Sequence, residues 1–289
     1  VYALGAKGTL VCAAASDGRL LWKVSMSDLG GTPAEWGYCE SVLVDGGNVI
    51  CTRGGPIGAV AALDAETGAG VWQSREFTDP AQYASPIVFD WAGIRQYVQL
   101  TMESLVGIRA SDGKLLWKSD WPGRTAVIPT PVYRDGHVYI TSGYGIGSKL
   151  VRLGQDHSVS DVYFNKVMKN QHGGVILIGD HIYGYSDNRG WTCQDFMTGE
   201  AVWSEEKKLG KGAIAYADGR FYLLSQDEGT VVLIEASTEG WKEHGRFTLP
   251  YDSEIRQPKW LVWTHPVISN GRLYLRNQDL LFSYDIKAD

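Results

Sequence analysis

The chain has 289 residues, 44% of them hydrophobic, with 35 Gly, four Cys and a formal net charge of −6. An acidic balance without clustered Lys and Arg excludes the phosphate-binding surface on which nucleic-acid recognition rests. No apolar run reaches the roughly 18 residues of a membrane helix, so no membrane span is expected in this chain.

From the N-terminus, VYALGAKGTLVCAAASDGRLLWKVS reads as three strands closing at Trp22. In the next unit ESVLVDGGNVICT gives strands A and B around Asp45-Gly46-Gly47-Asn48, and AVAALDAETGAGVWQS gives C and D around Thr67-Gly68. Short β-branched and aromatic runs punctuated this regularly by Asp-Gly or Thr-Gly signal antiparallel structure. The four-strand grammar recurs in ASPIVFDWAGIRQYVQLT with SLVGIRASDGKLLWKS, and in TPVYRDGHVYITS with KLVRLGQDHSVSDVYF. It recurs again in GGVILIGDHIYGYS with GWTCQDFMTGEAVWS, and in GAIAYADGRFYLLS with GTVVLIEASTEGWKEHGRF. The last unit, THPVISNGRLYLRN with LLFSYDI, offers A, B and C only.

Four of these units place a Gly four positions before a Trp: Gly18 and Trp22, Gly68 and Trp72, Gly113 and Trp117, Gly199 and Trp203. The period is about 45 residues, with one degenerate copy before Trp203, which marks an array of supersecondary units. The degenerate copy carries Val162-Tyr163-Phe164 in place of the Trp, and the copy after Trp203 has Trp241 out of register, directly behind Gly240. The expected fold class is all-β, a β-propeller of four-stranded antiparallel blades. About seven blades fall in this chain, the first lacking strand A and the last strand D. Because a chain opening on strand B cannot donate the missing D, one domain over residues 1–289 is expected whose N-terminus is incomplete, acting as a monomer.

Cys12 and Cys193 occupy one strand-C position in different blades and read as small core residues. With Val44 opposite Val49, Cys51 stands near Val42 and out of line with Cys39, which argues against a disulfide. Neither the cysteines nor the six His show metal-type spacing. Asp187-Asn188-Arg189-Gly190 is too short for a calcium loop. The Gly-rich SGYGIG around Tyr144 lacks the following helix that makes phosphate loops work. No G-x-S-x-G elbow is present.

The residues opening each strand A and closing each strand B should ring one mouth of the channel. The first set is Glu40, Ser85, Thr130, His172, Lys211 and His265, and the second Arg53, Thr101, Tyr144, Asp187, Gln226 and Arg276. They are polar, mixed in sign and partly aromatic, as in a concave ligand or peptide site. From these the candidate ligand-binding residues are Glu40, Arg53, Thr130, Tyr144, His172, Asp187, Lys211, His265 and Arg276. Each also has a structural reading: Glu40 and Arg53 as an ion pair on one hairpin, His172 as a hydrogen-bonded mouth residue, Asp187 as a turn residue.

The units with Asp64, Thr67, Gly68 and Trp72, and with Asp195, Thr198, Gly199 and Trp203, resemble the tryptophan-docking repeat of PQQ-type β-propellers. Along the whole chain, segments such as WGYCESVLVDGGNVICTRGG, TSGYGIG and HGGVILIGDHIYGYSDNRGWTCQDF are similar to secreted bacterial PQQ-binding-like β-propeller repeat proteins. The superfamily includes the quinoprotein alcohol dehydrogenases and the lipoprotein of the outer-membrane barrel-assembly machine. The resemblance implies Trp22, Trp72, Trp117 and Trp203 as structural blade-docking residues. Each would pack flat between blades and send its N–H to a main-chain carbonyl. It also implies a periplasmic or secreted protein, with an export signal and an eighth blade upstream.

Two functions follow from the resemblance. One is a non-catalytic scaffold that binds a protein, peptide or glycan and carries no cofactor and no metal. The other is a PQQ- and Ca²⁺-dependent oxidoreductase, which in the resembling family needs an adjacent Cys pair, a stacking Trp and a cation site of Asp, Glu and Asn. The sequence reproduces neither the Cys pair nor the cation motif. No catalytic residue is therefore expected.

Overall fold

A computed structural model describes residues 1–257 and 261–287. Its strands form seven antiparallel sheets, the blades of a seven-bladed β-propeller, and no helix occurs among the described residues. Blades 2 to 6 (43–73, 87–120, 132–165, 175–205 and 212–248) have four strands. Blade 1 (2–25) and blade 7 (267–285) have three, matching the expected absence of strand A from the first and of strand D from the last. The chain divides into two compact units, Val1–Ser142 with Lys149–Val162 (unit 1) and Gly143–Ser148 with Tyr163–Asp289 (unit 2).

Blade 2 shows why these sequences become sheets. Val44 faces Val49 and Asp45 faces Asn48 across Gly46 and Gly47, both at positive φ, so the hairpin turns where glycine carries no steric cost. Strands B (Asn48–Thr52) and C (Val60–Asp64) are buried almost throughout. The period of two splits their side chains between opposite faces. Val49, Cys51, Ala61 and Leu63 join a core with Leu10 and Met26 of the preceding segment, while Ile50, Val60 and Ala62 pack with Tyr97, Val106 and Ile108 of blade 3. Covering both faces is what turns these strands into nearly continuous apolar runs, each large side chain contributing roughly 1.5–3 kcal/mol by leaving water. In unit 2, Cys193, Phe221 and Val232 build the same kind of core between blades 5 and 6, and Leu224, Val231 and Leu275 between blades 6 and 7.

The Gly-to-Trp repeat works across blades. Trp22 donates its indole N–H to Ala65 O at 3.0 Å and lies on Gly68, where an added Cβ would stand 2.8 Å from the ring. Trp72 likewise reaches Ala110 O at 3.0 Å and lies on Gly113. Each Gly therefore meets two demands, a positive φ for the turn and a bare face for the Trp of the preceding blade. The Asp and Thr of the repeat shape that turn: Asp64 Oδ1 accepts the Thr67 N–H at 2.8 Å and the Thr67 hydroxyl at 2.7 Å. These bonds hold the Asp64 carboxyl below its ordinary range. Trp203 repeats the hydrogen bond alone, to Ser237 O at 2.9 Å, since an added Cβ on Gly240 would meet nothing within 4 Å, and in the degenerate blade Tyr163 lies on Gly199 and donates to Phe196 O at 3.0 Å.

Trp117 departs from the expected arrangement. Its partner across the ladder is Gly107, which leaves room for the indole to fold over its own sheet and donate to the Gln96 side chain at 2.7 Å. The contact with the next turn passes to Trp91 on strand A, which lies on Gly136 and donates to Gly154 O at 3.0 Å. All four thiols are free, with Cys39 exposed and Cys12, Cys51 and Cys193 buried.

Candidate functional site

Strand A of each blade is preceded, and strand B followed, by a loop, and the polar residues of these loops gather in both units. In unit 1, Glu40 is 5% exposed and accepts the Thr52 N–H at 2.6 Å on Oε1, while Oε2 has no hydrogen bond among the described residues. Burial pushes its carboxyl up to about 7, with the bonds from Thr52 pulling the other way. Arg53, fully buried, donates Nη2 to Gln73 Oε1 at 3.3 Å, and its Nε and Nη1 have no partner among the described residues. The expected Glu40–Arg53 ion pair does not form. Arg53, just past strand B, finds Gln73 on strand D of its own blade and Glu40 finds the Thr52 amide, so each charged group is drawn to a neutral partner.

Next to them Thr101 donates to Asp79 Oδ2 at 2.6 Å, and Ser104 to the same oxygen at 2.5 Å. Gln99 donates to Thr52 Oγ1 at 2.6 Å. Ser85 Oγ accepts the Ser41 N–H at 2.9 Å. Thr130 is exposed just before Val132–Arg134 and joins no cluster among the described residues.

Unit 2 brings together more of the expected set. Lys211, opening strand A of blade 6, pairs with Asp187 Oδ1 at 2.6 Å and also donates to Gln171 Oε1. Gln171 in turn donates Nε2 to the Tyr144 hydroxyl at 2.8 Å. Tyr144 sits between Gly143 and Gly145 with φ 55°, the left-handed turn that carries its side chain to the cluster. His172 is 4% exposed, stacks on Trp263 at 5.1 Å and 27°, and has no hydrogen bond at either ring nitrogen among the described residues. Burial, with Lys211 and His265 nearby, lowers its imidazole to about 3, so the ring is neutral at physiological pH. His265 reaches the His172 carbonyl at 2.7 Å, and Trp263 donates its N–H to Gln226 Oε1 at 3.0 Å. Arg276 is exposed and donates Nε to Gln278 O at 2.7 Å.

The structure thus joins Tyr144, His172, Asp187, Lys211, His265 and Gln226 through two residues the sequence reading missed, Gln171 and Trp263. Both lie within two positions of a predicted mouth residue, so widening the strand-A window by two would have found them. Asp79, also missed, sits in a loop too far from either strand for any such window. Among the described residues no three His, Cys, Asp or Glu side chains gather as they would around a metal ion. No described helix is long and apolar enough to cross a membrane.

Residues 1–205 match the family of the outer membrane protein assembly factor BamB. The chain belongs to that family. Solved structures agree on the fold. BamB from Moraxella catarrhalis is 17% identical, with a TM-score of 0.68 over 96% of this chain and 78% of that one. The computationally designed Ika8 protein is 15% identical, with a TM-score of 0.67 over 99% and 80%. A europium-containing methanol dehydrogenase is 10% identical, with a TM-score of 0.63 over 99% and 74%. Identities this low carry the fold alone, and one shape here serves an assembly factor, a designed protein and an oxidoreductase. No protein of curated function matches the sequence.

Proposed function

We propose that this BamB-family propeller is a non-catalytic, extracytoplasmic binding or scaffold module, engaging a protein, peptide or glycan through the mouth residues of unit 2. The observation that carries the reading is the Tyr144–Gln171–Lys211–Asp187 chain beside His172 and Trp263. Its groups are held in place by one another yet stay partly exposed, Lys211 at 19% and Asp187 at 23%, which suits recognition by pre-positioned hydrogen bonds. The family match to an outer membrane assembly factor supports an extracytoplasmic site and a partner-binding role.

The oxidoreductase alternative draws on the fold shared with a methanol dehydrogenase. The residues present do not fit a quinone with its cation. The four thiols are dispersed, with Cys12, Cys51 and Cys193 buried in three different blades. Asp187, the one carboxylate of the unit 2 chain, is neutralised by Lys211.

The test is to add PQQ and Ca²⁺ to the protein, follow the quinone absorbance, and assay dye reduction with simple alcohols. Neither uptake nor turnover is expected. Stoichiometric uptake with dye reduction would overturn the reading.

A further inference from the structure

Unit 2 also contains a cavity of about 510 Å³, lined in part by Leu261, Val262, Trp263, Arg276, Gln278 and Asp279. Its size falls among those of small-molecule sites, and its wall combines an aliphatic and aromatic side with a few polar groups. Those polar groups are anchored and yet incompletely used. Arg276 spends Nε on Gln278 O at 2.7 Å, which among the described residues leaves both Nη groups for a ligand. Asp279 accepts the Ser253 hydroxyl on Oδ1, which among the described residues leaves Oδ2. Trp263 is fixed twice, by its N–H to Gln226 and by His172 stacked on its ring, and remains 51% exposed. An exposed indole held this firmly is a prepared platform, because little side-chain freedom is left to lose on binding.

The chemistry of the wall selects among ligands. Arg276 and Asp279 oppose each other in charge, so the cavity does not favour an anion or a cation. It presents donors on the guanidinium and acceptors on the carboxylate, with the Gln278 amide able to serve as both. A carboxylate or phosphate group would use the donors alone. A sugar hydroxyl both donates and accepts, and a pyranose ring offers a flat C–H face to an aromatic plane.

We infer that this cavity binds a neutral saccharide, one ring face against Trp263 and neighbouring hydroxyls on Arg276 and Asp279. The inference rests on the binding-module reading and narrows its ligand to one class.

The experiment is a titration of the whole chain, by calorimetry and saturation-transfer NMR, with neutral mono- and disaccharides of hexose and N-acetylhexosamine. A matched set of short uncharged peptides is titrated in parallel. At least one saccharide should bind. Trp263→Ala should weaken it at least tenfold, Trp263→Phe about threefold or less, and Arg276→Ala about fivefold. Trp36→Ala, which removes an equally exposed indole from unit 1, should leave binding unchanged. Circular dichroism melts identify any variant that fails to fold, and the Phe variant and Arg276→Ala then carry the test. Absence of saccharide binding, or binding indifferent to Trp263 and Arg276, overturns the inference. Peptide binding alone would overturn it while sparing the binding-module reading, whereas PQQ-dependent dye reduction would overturn both.

Discussion

In unit 1 Glu40 in the loop into blade 2 and Arg53 just after strand B are buried without being joined, whereas in unit 2 the loop into blade 6 joins Lys211 to Asp187 and leaves both partly in water. The two arrangements answer the cost of burying charge differently. A carboxyl removed from solvent with one amide for company holds its proton, as Glu40 does up to about 7. Lys211 instead keeps contact with solvent, the Asp187 carboxylate and the Gln171 amide oxygen, so its donors are shared among partners and none is left without one. Side chains that open strands at equivalent positions of the repeat can therefore be buried in one unit and paired in partial contact with water in the other.

The contrast can be broken in order of expected effect. Glu40 comes first. Its folded carboxyl titrates well above an unfolded Glu, so it stabilises the fold below about pH 4.5 and loses that contribution as pH rises toward 7. The change is about 3 kcal/mol, read by urea unfolding across that range. Glu40→Gln keeps an acceptor for the Thr52 amide and should flatten the slope.

His172 gives the opposite slope in the other unit. Its folded imidazole is depressed to about 3 by burial, Lys211 and His265, so the unfolded chain takes up the proton first and stability falls as pH drops below about 6.5. Between pH 6.5 and 5 the loss should be about 2 kcal/mol, and His172→Gln should remove it. Urea unfolding of the two single variants at pH 5 and 7 separates the contributions.

Arg53→Met replaces a buried cation that has no carboxylate partner by an apolar chain of similar length. It should be neutral or stabilise by about 1 kcal/mol. Lys211→Met, by contrast, strands Asp187 and should destabilise by about 1 kcal/mol, the modest value of a partly exposed pair. The thermal melts of these two variants, made side by side, should move in opposite directions or differ by a few degrees. Equal shifts would mean that the two clusters do not differ as described.

Much of this was legible in the chain. Glycine turns and alternating strands mark all seven blades and the Gly-to-Trp spacing four of them, because each depends on residues within about fifteen positions of one another. The register Val44↔Val49 follows from the turn alone. Less legible was the choice of partner. Arg53 and Glu40 look like an ion pair on one hairpin, but the guanidinium turns to Gln73 and the carboxyl to the Thr52 amide. Trp117 carries the same spacing as Trp72, and only the bare face of Gly107 diverts it to Gln96 and leaves the next turn to Trp91. His172 and Trp263 are some ninety positions apart, and no local pattern announces their contact.

The sequence by itself determined the repeating unit, its strand boundaries and the residues that open and close each blade. Turn chemistry and the period of two act within a few residues, and they read the same in every copy. Tertiary structure alone decided which mouth residues meet, which are buried enough to change protonation, and where Trp263 and Arg276 come to share a cavity. Those outcomes depend on packing between blades, where a single missing Cβ or one alternative acceptor redirects a side chain.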